Sequence, residues 1–303
     1  MRFAVFLVHL ILFVNISLAA EHRQILADLE QEMVLRTHIN NQWTITRVFH
    51  CGNLGFDLES KKNRLKSYQH PNLVKVLDLK FDHGILKIIE EDIDYHNNLF
   101  SLIFDNNRKI TFTVEQKLKI LLEIAQAFSY LTEKDGAFEP YIDLICINDN
   151  RVKLSRYYKI FNSANYLSII DIPECLNMRF IAPELFNPNN QMSLETLIYK
   201  FGSIMLAVLA EELPYSQYDD PSELFQARIS ALQPEIPQVI SSDHAQLIRR
   251  CLLICPQERP KLAEIISLLQ NYSTQSQGII EVTNTNIWSD IYFNFFAAWQ
   301  WAG

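Results

Sequence analysis

Residues 195–211 read ETLIYKFGSIMLAVLAE, and between Ile198 and Ala210 the single charge is Lys200. Apolar residues fall on every side of the helix this stretch predicts, and a helix apolar all round must be buried. It therefore needs other helices around it. Upstream, residues 114–131 (VEQKLKILLEIAQAFSYL) place Leu118, Leu121, Leu122, Ala125, Phe128 and Leu131 on one helical face. Downstream, residues 243–255 and 260–271 predict two more helices. Residues 30–95 follow another period. Trp43–Phe49 alternates and is rich in β-branched residues, Leu73–Leu77 and Ile85–Ile89 read as further strands, and Asp82-His83-Gly84 reads as a turn. A helical stretch at about 58–68 stops before Pro71. The first two strands fall at about 28–40. The predicted order is a small strand-rich lobe followed by a larger helical lobe, an α+β architecture.

The chain has 303 residues, 49% apolar and 20% charged, enough to bury a sizeable core. Its formal charge of −8 argues against a broad electrostatic grip on nucleic acid. Seven glycines stand where average usage gives about 21, so machinery built on glycine-rich phosphate loops is hard to assemble. The five cysteines are irregularly spaced, with no paired CxxC, which excludes a disulfide-rich scaffold and argues against zinc. Cys251 and Cys255 stand four apart on a predicted helix, as core packing rather than a bridge.

The N-terminus reads as a targeting segment. Met1 and Arg2 precede an apolar run, Phe3–Phe13, that ends in Ser17-Leu18-Ala19-Ala20, the pattern of a cleaved signal peptide over residues 1–20. The alternative is an uncleaved membrane anchor. Asn271-Tyr272-Ser273 is a glycosylation sequon that agrees with secretory delivery. After polar residues 273–277, Trp288, Tyr292, Phe295, Phe296 and Trp299 share a helical face. This tail reads as a strap on the helical lobe; the alternatives are partner or membrane docking through those aromatics, or a removable lipid-anchor signal.

Four segments carry a family resemblance. Gln69-His70-Pro71-Asn72-Leu73-Val74-Lys75-Val76-Leu77 resembles the helix-to-strand junction of protein kinases, and Ile181-Ala182-Pro183-Glu184-Leu185 the end of their activation segment. Tyr199-Lys200-Phe201-Gly202 through Leu213-Pro214-Tyr215 resembles the central helix and its exit. Ile248–Leu252 with Pro256-Gln257-Glu258-Arg259-Pro260 resembles the last block. In order and at the right spacing, over about residues 25–272, they imply a two-lobed protein-kinase-like fold close to the serine/threonine and tyrosine-kinase-like branches. The small lobe would span 21–95, the large lobe 96–272, and the linker and tail 273–303.

The resemblance also implies a set of catalytic positions, and this sequence departs from nearly all of them. A kinase uses a glycine-rich loop, a strand lysine held by a helix glutamate, a catalytic aspartate and two magnesium ligands. No glycine precedes Gly52. Arg47 stands at the strand lysine, keeping the charge on a wider, planar group. Lys61 stands at the helix glutamate, so two cations are expected to face each other. Ala137–Leu144 replaces the catalytic loop, with Glu139 at the base position and Leu144 at the metal-binding asparagine. Arg156-Tyr157-Tyr158 replaces Asp-Phe-Gly, putting a cation where magnesium would bind. Glu90 takes the gatekeeper position and Glu91 begins the hinge. Glu184 and Arg259 match a structural salt bridge of the family. Leu197 and Phe138 replace a polar pair linking the central helix to the catalytic loop.

The expectation is a pseudokinase, secreted or lumenal, with no metal and no cofactor, that binds a protein partner such as an active kinase. The alternatives are a metal-free ATP site with arginines in place of magnesium, a divergent transferase using Glu139 as base, and a membrane-docking protein acting through its tail.

Overall fold

The computed structural model describes residues 23–28, 32–39, 41–50, 57–94, 97–105, 107, 109–138, 140, 142–155, 178–187 and 189–277. The N-terminal apolar run, Glu139, Arg156 and the aromatic tail lie outside the described residues. Two lobes follow one another along the chain, a strand-rich sheet and a helical body.

The small lobe is an antiparallel sheet of five strands: β1 (Arg23–Asp28), β2 (Glu32–Ile39), β3 (Gln42–His50), β4 (Val76–Asp82) and β5 (Ile85–Glu91), in the order β1-β2-β3-β5-β4. The β4–β5 turn puts His83 and Gly84 at φ 48° and 76°, the two left-handed residues of a type I′ hairpin. Helix α1 (Leu58–Ser67) packs on β4. Asp57 caps its N-terminus, accepting from the Glu59 and Ser60 amides, and Lys62 reaches Asp78 at 2.7 Å.

Two strands differ from the sequence reading. β1 begins at Arg23 rather than near residue 28, while β2, Glu32–Ile39, falls within the expected 28–40. β4 begins at Val76, not Leu73. The backbone before it is engaged across the lobes: Leu154 donates to Asn72 O at 2.9 Å and Val74 to Leu154 O at 3.0 Å, so Leu73 forms an isolated bridge with Leu154. The Asn72 side chain adds a stitch, donating to Glu123 Oε2 and Val152 O, both at 3.1 Å.

The large lobe holds α2 (Leu99–Phe104), α3 (Val114–Asp135), the hairpin β6 (Ile145–Asn148) and β7 (Arg151–Leu154), α4 (Leu194–Ala210), α5 (Pro221–Ile229), α6 (Ser242–Cys251) and α7 (Leu262–Gln277). α3 opens with a reciprocal capping box, Thr113 with Gln116, and ends at Gly136, whose φ of 74° suits glycine. α4 is buried from Thr196 to Leu209, against α3 on one side and α6 on another. A Cβ on Gly202 would lie 2.6 Å from the Cys251 Cβ, so the α4 backbone here packs directly on α6 side chains. α6 ends at Cys251 instead of continuing to 255, because Arg259 takes the Leu253 carbonyl at 2.8 Å and Pro256 disfavours helix before it. Cys251 is accordingly buried, its thiol pushed up to about 12 by burial, whereas Cys255 is exposed off the helix; both are free thiols. α7 runs to Gln277, so Asn271 is an exposed residue within the helix rather than at its end.

Candidate functional site

The strand register decides what meets in the cleft between the lobes. Arg47 on β3 stands opposite Ile88 on β5, so its diagonal neighbour on the same face is Glu90, within reach of a long side chain. Arg47 Nε donates to Glu90 Oε2 at 2.9 Å, and both side chains have no exposed surface. Ser155, just past β7 and fully buried, donates to Glu90 Oε1 at 3.2 Å. Its amide donates to Leu144 O at 2.9 Å. Both oxygens of Glu90 are thus held, one by each lobe. Arg47 thus pairs with Glu90, the acid that the resemblance sets at the gatekeeper position. Lys61 is half-buried on α1, its amide bonded to Asp57 O.

Beside this polar knot the cleft is apolar. Val34 from β2, Ile45 from β3, Val74, Ile93 beyond the hinge and Cys146 from β6 form one buried cluster, joining both lobes. Leu144 is buried in the main core. The hinge acids face outward from it. Glu91 Oε1 accepts from Lys153 Nζ at 2.8 Å and the Lys75 amide at 3.0 Å. Asp92 receives a bidentate pair from Arg36, at 2.8 and 2.5 Å, and Arg36 lies over the Trp43 ring. Among the described residues no group of three His, Cys, Asp or Glu side chains could hold a metal.

A second polar centre fixes the end of the activation segment. Arg259 forms a fork with Glu184, Nη1 to Oε1 at 2.6 Å and Nη2 to Oε2 at 2.8 Å, and donates to Glu195 O at 2.8 Å. Arg228, fully buried on α5, holds the same segment from the other side. It donates to Met178 O at 3.3 Å, to Ile181 O, and to the hydroxyls of Tyr199 and Tyr215, and its guanidinium lies 4.4 Å from the Tyr215 ring centre. Burial raises the Tyr215 phenol well above its usual range, so it stays a donor, to Leu232 O at 2.8 Å. Sequence reasoning missed Arg228 and Ser155. A lone cation inside the apolar run Leu224–Ile229 was the available signal for the first; a serine carries none.

Leu197 and Phe138, at the positions of a polar pair in the family, are both buried in the main core. Phe138 stands edge-on to Phe128 at 5.3 Å, and Phe128 edge-on to Phe201 at 6.1 Å. Apolar packing joins the catalytic-loop region to the central helix.

Comparison with known proteins agrees with this architecture. The chain is 24% identical over 207 residues to a probable serine/threonine-protein kinase pats1 of Dictyostelium discoideum, covering 66% of this chain and 6% of that one. It is 23% identical over 229 residues to a putative mitogen-activated protein kinase kinase kinase 7-like protein of Drosophila melanogaster, covering 70% and 55%. It is 28% identical over 218 residues to mitogen-activated protein kinase kinase kinase 1 of Arabidopsis thaliana, covering 69% and 34%. The chain thus spans less than two thirds of the length of each of these relatives. The family model for protein tyrosine and serine/threonine kinases matches residues 56–269, well over half of the sequence, and the chain belongs to that family.

Proposed function

We propose that this chain is a pseudokinase that acts by binding, as a scaffold or as an allosteric partner of an active kinase. The observation that carries the reading is the buried Arg47–Glu90–Ser155 knot. In a working kinase the strand cation is held by a helix glutamate where it faces nucleotide phosphates; here its Nε is held by Glu90 on the neighbouring strand, with both side chains sealed inside the fold. The described residues do not fit a magnesium–nucleotide. Leu144, at the position that the resemblance gives to a metal-binding asparagine, is buried in the main core and offers no ligand. Function then belongs to the surface of the fold.

Thermal-shift titration with ATP, with and without magnesium or manganese, tests this. A ligand that binds only the folded state adds about 2.7 kcal/mol at a hundredfold excess over Kd; no shift is expected. A magnesium-dependent shift, together with phosphate transfer that disappears in Glu139→Ala, would overturn the reading in favour of a divergent kinase. A magnesium-independent shift would restore a metal-free nucleotide site.

We further propose delivery to the secretory pathway, from the N-terminal pattern and the sequon. The mature N-terminus should be Ala20 or Glu21, and Asn271, exposed on α7, should carry a glycan. N-terminal sequencing and glycosidase treatment of protein from secretory cells check both. A protein that keeps residues 1–20 and carries no glycan would contradict this placement.

A further inference from the structure

Helix α5 is apolar on two sides. One side, Leu224 and Ala227 with the Arg228 stem, is buried against the body. The other presents Phe225 and Ile229, one turn apart and 41% and 45% exposed, and Leu232 follows at 50%. The Phe225 ring stands edge-on to Phe186 of the segment end, 6.0 Å away, which extends the apolar ground. A helix with apolar residues on opposite faces is built to be covered on both.

The sequence offers a second apolar stretch of matching kind. In residues 287–301, Trp288, Tyr292, Phe295, Phe296 and Trp299 fall at helical spacing, with Asp290 as the one charge. We propose that this C-terminal segment docks on the outer face of α5, against Phe225, Ile229 and Leu232, as a strap from the same chain.

Chain geometry supports this occupant. Five residues before the end of α7, Tyr272 donates to Asp243 O at 3.4 Å and its ring stands edge-on to His244, so α7 passes the start of α6 there. At the other end of α6, Gln233 donates to Leu252 O at 3.0 Å, and Gln233 adjoins Leu232. The length of α6, roughly 15 Å for its ten residues, and the last five residues of α7, roughly 8 Å, therefore put the end of α7 within about 25 Å of Leu232, the near edge of the patch. Residues 278–286 reach up to about 30 Å when extended. The aromatic segment thus has enough leash to lie on α5 but stays tethered near it, and short tethers give effective concentrations in the millimolar range. A second copy or a membrane would have to compete with that.

Tryptophan fluorescence tests the proposal on the full chain. Three of the four tryptophans, Trp288, Trp299 and Trp301, lie in the segment, and Trp43→Phe leaves them as the only reporters. In dilute monomeric protein their emission should be blue-shifted and shielded from acrylamide. Phe225→Ser with Ile229→Ser should shift it red and raise quenching several-fold while cooperative unfolding is kept. Reciprocally, deleting residues 279–303 should speed amide exchange in 221–232. Solvent-exposed emission in the parent, or shielding untouched by the double variant, would overturn the proposal. Shielding that vanishes on dilution would replace it with a second copy, and shielding that needs anionic vesicles would replace it with a membrane.

Discussion

A buried ion pair is most informative when one half of it is removed. Glu90→Ala leaves the Arg47 guanidinium inside the fold with one oxygen-bearing partner fewer, and a loss of about 3–5 kcal/mol is expected. Replacing both, Arg47→Met with Glu90→Met, removes the charges together and should be neutral or stabilising by about 1–4 kcal/mol. Urea denaturation of the singles and the double checks this; a double as unstable as the singles would contradict it. Glu184→Ala should likewise cost about 3–5 kcal/mol, because Arg259 has its side chain fully buried. A double-mutant cycle with Arg259→Ala should show strong coupling, and additive effects would count against a fork. The two centres were unequally legible. Glu184 and Arg259 stand inside recognisable motifs, so spacing alone nominates them. The Arg47–Glu90 contact depends on β3 pairing with β5 in one register, and nothing local in either strand announces a partner 43 residues away. Counting family positions instead set Arg47 against Lys61.

At the scale of elements, long periodic helices were readable and their junctions were not. The burial of α4 follows from its composition, since no side of it could face water. The start of β4 did not follow, because Leu73-Val74 looks like strand and its backbone is spent on joining the lobes through Leu154. The end of α6 was misplaced for a similar reason: the Arg259 guanidinium claims carbonyls that a longer helix would use. The contact of α4 with α6 gives an element-level prediction. Gly202→Ala gains roughly 1 kcal/mol of helix propensity. Its methyl meets the Cβ of Cys251, which cannot rotate away, so the helices must separate. A net destabilisation of about 1–3 kcal/mol is expected, as for other overpacked cores. A higher melting temperature in calorimetry would show that the interface has slack.

For the molecule as a whole, acid should loosen the fold well before its carboxylates titrate. Burial depresses the imidazoles of His70 and His244 below their usual value. His70 Nδ1 accepts from the Asn72 amide and its ring packs on Tyr130, at the seam between the lobes. A base whose pKa is lower folded than unfolded contributes stability that is complete above the unfolded value, about 6.5. That contribution is lost as pH falls through the folded value. The carboxyls of Asp78, which Lys62 depresses against the effect of burial, and of Glu195, which hydrogen bonds from Ser193 and the backbone depress, act only below about pH 4. Stability should therefore decline between pH 7 and 5, and His70→Gln with His244→Gln should flatten that slope in denaturant titrations. An unchanged slope would place the titrating groups elsewhere. The exchange of a polar pair for Leu197 and Phe138 reaches further than present-day stability. An aspartate restored at Leu197 alone would sit as a bare charge in the core, and an arginine restored at Phe138 alone would do the same. Against a total stability of about 5–15 kcal/mol, either first step leaves little folded protein. A lineage that has crossed from such a polar pair to an apolar one therefore meets a ratchet: return requires two substitutions at once, and descendants can drift at the surface but not back to the polar pair one mutation at a time.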